Sequence, residues 1–281
     1  MDWKEFYGDF MKTENMGKVR KFIKEERIRK VVLPSSDNVF RAFKLCPYDK
    51  LKVVIIGQEP YPAARHANGL AFSSFSNKRP GTLNNIFKEI HTSLYPEEDF
   101  NTCFKSNDLE SWANQGVLLL NRILTVVDKE SGSHAQIGWQ EFTQSVIKKL
   151  SDTYHKRLIF VLWGQEAQTM ITYINEAKHF VIKGEHPSPI SADKGFFGCN
   201  HFLMIQDYLR RMYFEDIMTM VNKLDLDELI ELFVLSFKKK NVVIKTEDMD
   251  KTLRFVLSNL NELFVYNDPN IKKLYELNFK T

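Results

Sequence analysis

Four short apolar runs constrain this chain more than any other feature. They are Val53-Val54-Ile55-Ile56, Val117-Leu118-Leu119-Leu120, Leu158-Ile159-Phe160-Val161-Leu162-Trp163 and Phe180-Val181-Ile182. Each has the length of a strand buried on both faces, and the first is wholly β-branched. Helical patterns lie between them, as from Trp139 to Leu150 and from Glu166 to Lys178. A helix is also expected after Gly81, with Leu83, Ile86, Phe87 and Ile90 on one face and Thr82 or Asn84 as its cap. Short strands alternating with helices predict an α/β fold with a central four-stranded, mostly parallel sheet flanked by helices.

The chemistry-bearing residues cluster where those runs stop. The first run opens the stretch LKVVIIGQEPYPAARHANGLAFSS, in which Gly57 is followed at once by Gln58, Glu59, Pro60, Tyr61 and Pro62. The two prolines fix their own φ and stiffen the turn. The second run ends on Asn121, the third on Gly164-Gln165, and the fourth leads to His186-Pro187-Ser188-Pro189. Parallel strands deliver Glu59, Asn121, Gln165 and His186 to one edge of the sheet, where open α/β folds bind ligands. Each residue alone also has a structural explanation: Glu59 as a helix cap, Phe72 as core, His186 as a turn histidine, Tyr61 as packing. A convergent acid, amide and imidazole are harder to explain that way together.

At the amino end, residues 1–30 read as helical with a break at Asn15-Met16-Gly17, and Phe202 to Arg211 reads as the last core helix. Beyond about Phe214 the pattern changes. Asp225 with Glu228 opens an amphipathic helix that closes at Lys238-Lys239-Lys240. Val242 to Ile244 follows as a short strand, and Met249 to Phe264 as a second helix. The expected organisation is a main domain at 1–214 and a small, mainly helical extension at 215–281. The extension's apolar faces must pack on the main domain, on each other or on a protein partner.

Charge is uneven along this plan. The chain carries +3 in all, yet residues 215–281 hold 12 acids and 10 bases, leaving −2 there and +5 before it. The cysteines Cys46, Cys103 and Cys199 lack metal-ligand spacing, and their odd number suits reduced thiols in an intracellular compartment, cytoplasm or nucleus. The start, MDWKEFYGDF, has no signal-peptide core, and no apolar run is long enough to span a membrane.

Taken in order, several motifs resemble family 1 uracil-DNA glycosylase. They are Gly57-Gln58-Glu59-Pro60-Tyr61 with Gly69-Leu70-Ala71-Phe72-Ser73; Leu118-Leu119-Leu120-Asn121 with Leu124-Thr125-Val126; Ser133-His134 with Gly138-Trp139; Trp163-Gly164; and His186-Pro187-Ser188-Pro189 with Gly195-Phe196-Phe197-Gly198-Cys199. The similarity runs from about Val39 to Arg211. It implies excision of uracil from DNA, single- or double-stranded, by a monomeric core needing no metal or cofactor. It places Glu59 under the sugar as the carboxylate that stabilises an oxocarbenium, and His186 as donor to the departing base. Asn121 then reads the base edge, Phe72 stacks on the base, Tyr61 excludes the methyl of thymine, and the Gln58 backbone completes the hydrogen bonds. Pro80-Gly81-Thr82, Gly164-Gln165 and Ser188-Pro189 resemble the family's loops that approach DNA phosphates. Ile190 stands where the family carries a leucine wedge, and Lys194 adds charge beside it.

The chain departs from the family at two positions: Glu59 replaces an aspartate and Pro62 a histidine. The extra methylene of Glu59 pushes its carboxylate outward by more than about 1 Å, a misplacement of an order that can cost about 10²-fold in rate. A second class of function therefore stands beside the enzyme: a weak or silent uracil-DNA-binding protein serving viral replication or transcription.

Overall fold

A computed structural model describes residues 2–221 of the chain. Asp2 caps the first helix, α1 (Trp3–Met11), by accepting the Glu5 N–H. Helix α2 (Glu14–Arg29) starts at once on Thr13, whose hydroxyl accepts the Met16 N–H. The break between them thus falls at Lys12-Thr13, ahead of the expected Asn15-Met16-Gly17. Thr13 supplies the N-cap acceptor, and Gly17, with open space around it, is tolerated inside the helix.

Strand β1 (Val32–Leu33) and the short helix α3 (Arg41–Leu45) precede the first core strand, β2 (Val53–Gly57). A long loop leads to α4 (Gly81–Leu94), and then come α5 (Phe100–Cys103), α6 (Glu110–Asn114), β3 (Val117–Asn121) and β4 (Val126–Val127). The chain goes on through α7 (Trp139–Thr153), β5 (Ile159–Trp163), α8 (Gly164–Gln168), β6 (Phe180–Gly184) and α9 (His201–Val221).

The main sheet has the order β3-β2-β5-β6, and its three pairings are all parallel. The central strands β2 and β5 are buried at every position, as near-continuous apolar runs require. Burying each such side chain contributes about 1.5–3 kcal/mol. Helices α1 and α2 pack on α7, and α3 and α6 pack near β3. A separate two-stranded ribbon pairs β1 with β4, antiparallel, Val32 against Val127 and Leu33 against Val126. From β2 the chain crosses to β3 on one side; from β5 it crosses to β6 on the other. The crevice at such a switch opens between the carboxyl ends of the strands.

Three other expectations need correcting. Helix α4 takes Pro80 as its N-cap with no side-chain hydrogen bond, so neither Thr82 nor Asn84 caps it. The helical pattern from Glu166 to Lys178 ends early: α8 gives way to a 3-10 turn at Thr169–Tyr173. Asn175 then accepts the Ala177 N–H on its own side chain, the local turn that competes with helix. Helix α9 passes Arg211 and continues to Val221. The first compact unit is Met1–Leu203, and the second begins at Met204. The helices expected from Asp225 and from Met249, and the strand at Val242 to Ile244, lie outside the described residues. Among the described residues no helix is long and apolar enough to cross a membrane.

Candidate active site

At the carboxyl ends of β2 and β3 a cavity is lined by Gly57, Gln58, Glu59, Tyr61, Phe72, Thr82, Asn121 and His186, among others. Three elements of the core bring these residues together, and each does so for a local reason.

Asn121 ends β3 directly opposite Gly57 in β2. A Cβ on Gly57 would lie 2.2 Å from the Asn121 Oδ1, so only glycine leaves room for that amide. Asn121 is buried. Tyr61 donates from its hydroxyl to the Phe72 carbonyl at 3.2 Å and bonds to Thr82, while burial pushes its phenol well above the ordinary range. Gln58 is exposed as a side chain, and its carbonyl accepts the Ile123 N–H at 3.0 Å.

Phe72 sits at φ 65°, a left-handed conformation uncommon for a residue with a Cβ. Such strain persists only where the surroundings over-determine it. Here a polar network, buried at Arg41, Asn68 and Ser73, does so. Asn68 donates to Ser73 at 2.8 Å and to Asp108 at 3.2 Å; Ser73 donates to Asp108 at 3.1 Å and accepts the Leu109 N–H at 2.9 Å. Arg41 grips both oxygens of Asp108, at 3.2 and 2.9 Å, and reaches Glu110 at 2.6 Å. The Ala71 N–H bonds to the Leu119 carbonyl of β3. The Phe72 ring centroid thereby stands 5.7 Å from that of Trp163 and 5.9 Å from that of His186.

His186 follows β6. Its Nδ1 accepts the Ser188 N–H at 3.1 Å, which assigns the ring's own proton to Nε2 in the neutral form. Burial holds the His186 pKa below the ordinary imidazole value, so the neutral form is favoured. The loop carrying it is pinned twice: Ser191 donates to the His186 carbonyl at 2.9 Å, and Asn85 of α4 donates to the Pro187 carbonyl at 3.0 Å. Gly164, at φ 82°, lets this loop close in, since a Cβ there would lie 2.9 Å from that of His186.

Glu59 is held differently. Both its oxygens accept the Gly132 N–H, at 3.1 and 3.0 Å, and Oε1 also accepts the Ser131 hydroxyl. The donors belong to an exposed turn after β4.

Around the rim, Gly81 abuts Pro189: a Cβ on Gly81 would lie 2.7 Å from the proline ring. Pro80 and Gly81 start α4, Ser188 shares a hydroxyl hydrogen bond with Ser191, and Ile190 and Lys194 are exposed. Ile190 is 85% exposed, far beyond what a core residue shows. Gln165 is the outlier among the four strand-end residues. It lies exposed in the first turn of α8, outside the cavity lining.

Several supporting residues escape sequence reading. Glu89 of α4 is almost fully buried and accepts the N–H groups of Gly198, at 2.7 Å, and Asn200, at 3.0 Å, tying down the loop after the His186 turn. Glu89 and Asn85 look like polar helix positions; only their spacing on the apolar face of α4, beside Ile86 and Ile90, hints at burial. Ser131 and Gly132 carry no signal, since a polar turn is the commonest of sequences. Among the described residues no group of three or more His, Cys, Asp or Glu side chains is placed to hold a metal ion.

The sequence and the fold are similar to those of known proteins. The model of the uracil DNA glycosylase superfamily matches residues 43–210. A uracil-DNA glycosylase of Fusobacterium nucleatum is 44% identical over 205 residues, covering 72% of this chain and 87% of that protein. A crystal structure of mimivirus uracil-DNA glycosylase, 31% identical, matches with TM-score 0.62 over 68% of this chain and 69% of its own. A variant of the mimivirus protein in complex with UGI, also 31% identical, matches with TM-score 0.61 over 67% of this chain and 70% of its own.

Proposed function

This chain belongs to the uracil DNA glycosylase superfamily, and on that premise we propose that it excises uracil from DNA with Glu59 and His186 as its catalytic residues. The observation that carries this reading is the single cavity lined by Glu59, Tyr61, Phe72, Asn121 and His186.

The reaction breaks the bond between C1′ of the sugar and N1 of the base. The bonding electron pair leaves with uracil, so negative charge grows on the base and positive charge on the sugar. His186, neutral with its proton on Nε2, offers that N–H to the uracil O2. A fixed donor of this kind is worth about 10²–10³-fold in rate. Glu59 faces the sugar as a carboxylate and stabilises the oxocarbenium. Water then adds at C1′ and releases a proton, leaving an abasic site, the first product of base excision repair. No step calls for a metal or cofactor.

Recognition falls to the rest of the cavity. The Asn121 amide pairs with N3–H and O4 of a base turned out of the helix, and the Phe72 ring stacks on it. Tyr61, locked by Phe72 and Thr82, fills the space beside C5 where thymine carries its methyl group. The loops at Pro80-Gly81-Thr82, Gly164-Gln165 and Ser188-Pro189 approach phosphates through small residues, and Lys194 adds a cation. Exposed Ile190 fills the gap that the turned-out base leaves. Residues 1–214 form the catalytic unit in this reading, and 215–281 an extension available to a protein partner.

The test is release of free uracil from an oligonucleotide with one uracil, by purified protein in chelator. Conversion of the strand to its abasic form, with a thymine-bearing strand untouched, is the expected result. No product at enzyme excess over hours contradicts the reading and leaves a binding protein in its place.

A further inference from the structure

Glu59 replaces the shorter residue of the family loop, and its environment shows where the added length goes. Its carboxylate accepts from the Ser131 hydroxyl and, through both oxygens, from the Gly132 N–H. A free glutamate side chain loses more rotamer freedom when fixed than a shorter one does, so a long catalytic carboxylate needs a support that a short one does not. We propose that the turn from Asp128 to Gly132 is that support, with Ser131 and Gly132 as positioning residues that set Glu59 for the sugar. The inference rests on Glu59 being the catalytic carboxylate.

Three further features make the turn a template. It is bound to the loop of Glu59 itself: Lys129 N–H donates to the Pro62 carbonyl at 2.9 Å, and the Ala64 N–H donates to the Asp128 carboxylate at 3.0 Å. It is fastened to the frame behind it, where Asp128 N–H donates to the Val31 carbonyl at 2.8 Å, Val127 N–H to Ser133 at 2.8 Å, and Lys30 pairs with Glu130 at 2.9 Å. Its backbone is bent for the purpose: Lys129 at φ 65° and Gly132 at φ 76° both occupy the left-handed region. A Cβ on Gly132 would meet nothing within 4 Å, so what favours glycine there is its φ alone. Pro62 takes part through its carbonyl alone, which a substitution of its ring leaves in place.

Ser131 is exposed, so its replacement leaves the core intact. The experiment measures single-turnover uracil release under enzyme excess and, separately, affinity for DNA carrying a 2′-fluorinated deoxyuridine, which binds without being cut because fluorine disfavours the oxocarbenium. Ser131→Ala should lower the rate about tenfold, the effect of one hydrogen bond to a charged group, with affinity unchanged within twofold. Ser131→Thr, which keeps the hydroxyl, should restore most of the rate. In a Glu59→Asp background the shorter side chain no longer reaches Ser131, so adding Ser131→Ala should change nothing further. An unchanged or faster rate in Ser131→Ala overturns the inference, as does an equal loss in both backgrounds. The underlying reading fails separately, if Glu59→Gln releases uracil as fast as the unaltered chain.

Discussion

Asn121 and Glu59 belong to neighbouring strand ends, yet they are fixed by opposite means. Asn121 is set by the core: its strand is paired in register with β2, and its amide occupies the space that Gly57 vacates. Phe72 is likewise held from behind, by the Arg41–Asp108 pair and the Asn68–Ser73 network. Glu59 leans instead on an exposed polar turn that reaches it from after β4. The wall formed by Asn121 and Phe72 is therefore part of what makes the protein fold, whereas the Glu59 carboxylate is mounted on an attachment. The wall should lose stability and affinity when damaged; the attachment should lose rate alone.

The largest effect is expected at His186, which belongs to the wall by position and, in the proposed mechanism, to the chemistry by role. His186→Ala should slow single-turnover release by about 10²–10³-fold. The pH profile carries the same information. Burial lowers this pKa from 6.5, so the neutral ring's contribution is present above that value and lost as pH falls through the lower, folded-state pKa. Protonation at Nδ1 also breaks the bond from the Ser188 N–H. A rate that instead rises on acidification contradicts the neutral tautomer.

Next comes Gly57→Ala. The new methyl, 2.2 Å from the Asn121 Oδ1, must displace the amide. Affinity for the uncleavable uracil analogue should fall about tenfold for the hydrogen bonds forfeited, while an abasic strand binds as before. Equal affinity would show that Asn121 does not read the base.

The smallest effect on activity, though not on stability, is expected for Asp108→Asn. It removes the charge that Arg41 grips at two oxygens. Unfolding free energy should drop by about 1–3 kcal/mol, with uracil affinity falling only a few-fold as Phe72 loosens. A variant with unaltered melting temperature would erase the contrast between wall and attachment.

Why some of this could be read from sequence follows from the same contrast. Buried parallel strands must be apolar along their whole length, so Val53 to Ile56 and Leu158 to Trp163 announce themselves. Residues placed by strand ends inherit that legibility, which is why Glu59, Asn121 and His186 could be brought to one edge; Gln165 could not be told apart, because the first turn of α8 carries it outward. Partners supplied by surface turns leave no periodic trace. Ser131 and Gly132 are an ordinary polar pair until the ribbon of β1 and β4 brings them to Glu59. Asn85 and Glu89 were obscured for another reason: their polarity suggests solvent, yet they are buried because loop N–H and carbonyl groups need them.

The most direct test of whether the Glu59 carboxylate is mounted apart from the wall that would recognise the base is Glu59→Gln measured two ways. The amide keeps the length of the side chain but not its charge. A carboxylate that stabilises an oxocarbenium acts mainly in the transition state. Separate mounting predicts single-turnover uracil release slowed by about 10²-fold, with affinity for the 2′-fluorinated analogue within a few-fold of the unaltered chain. A rate equal to that of the unaltered chain, or a loss of affinity as large as the loss of rate, would contradict it.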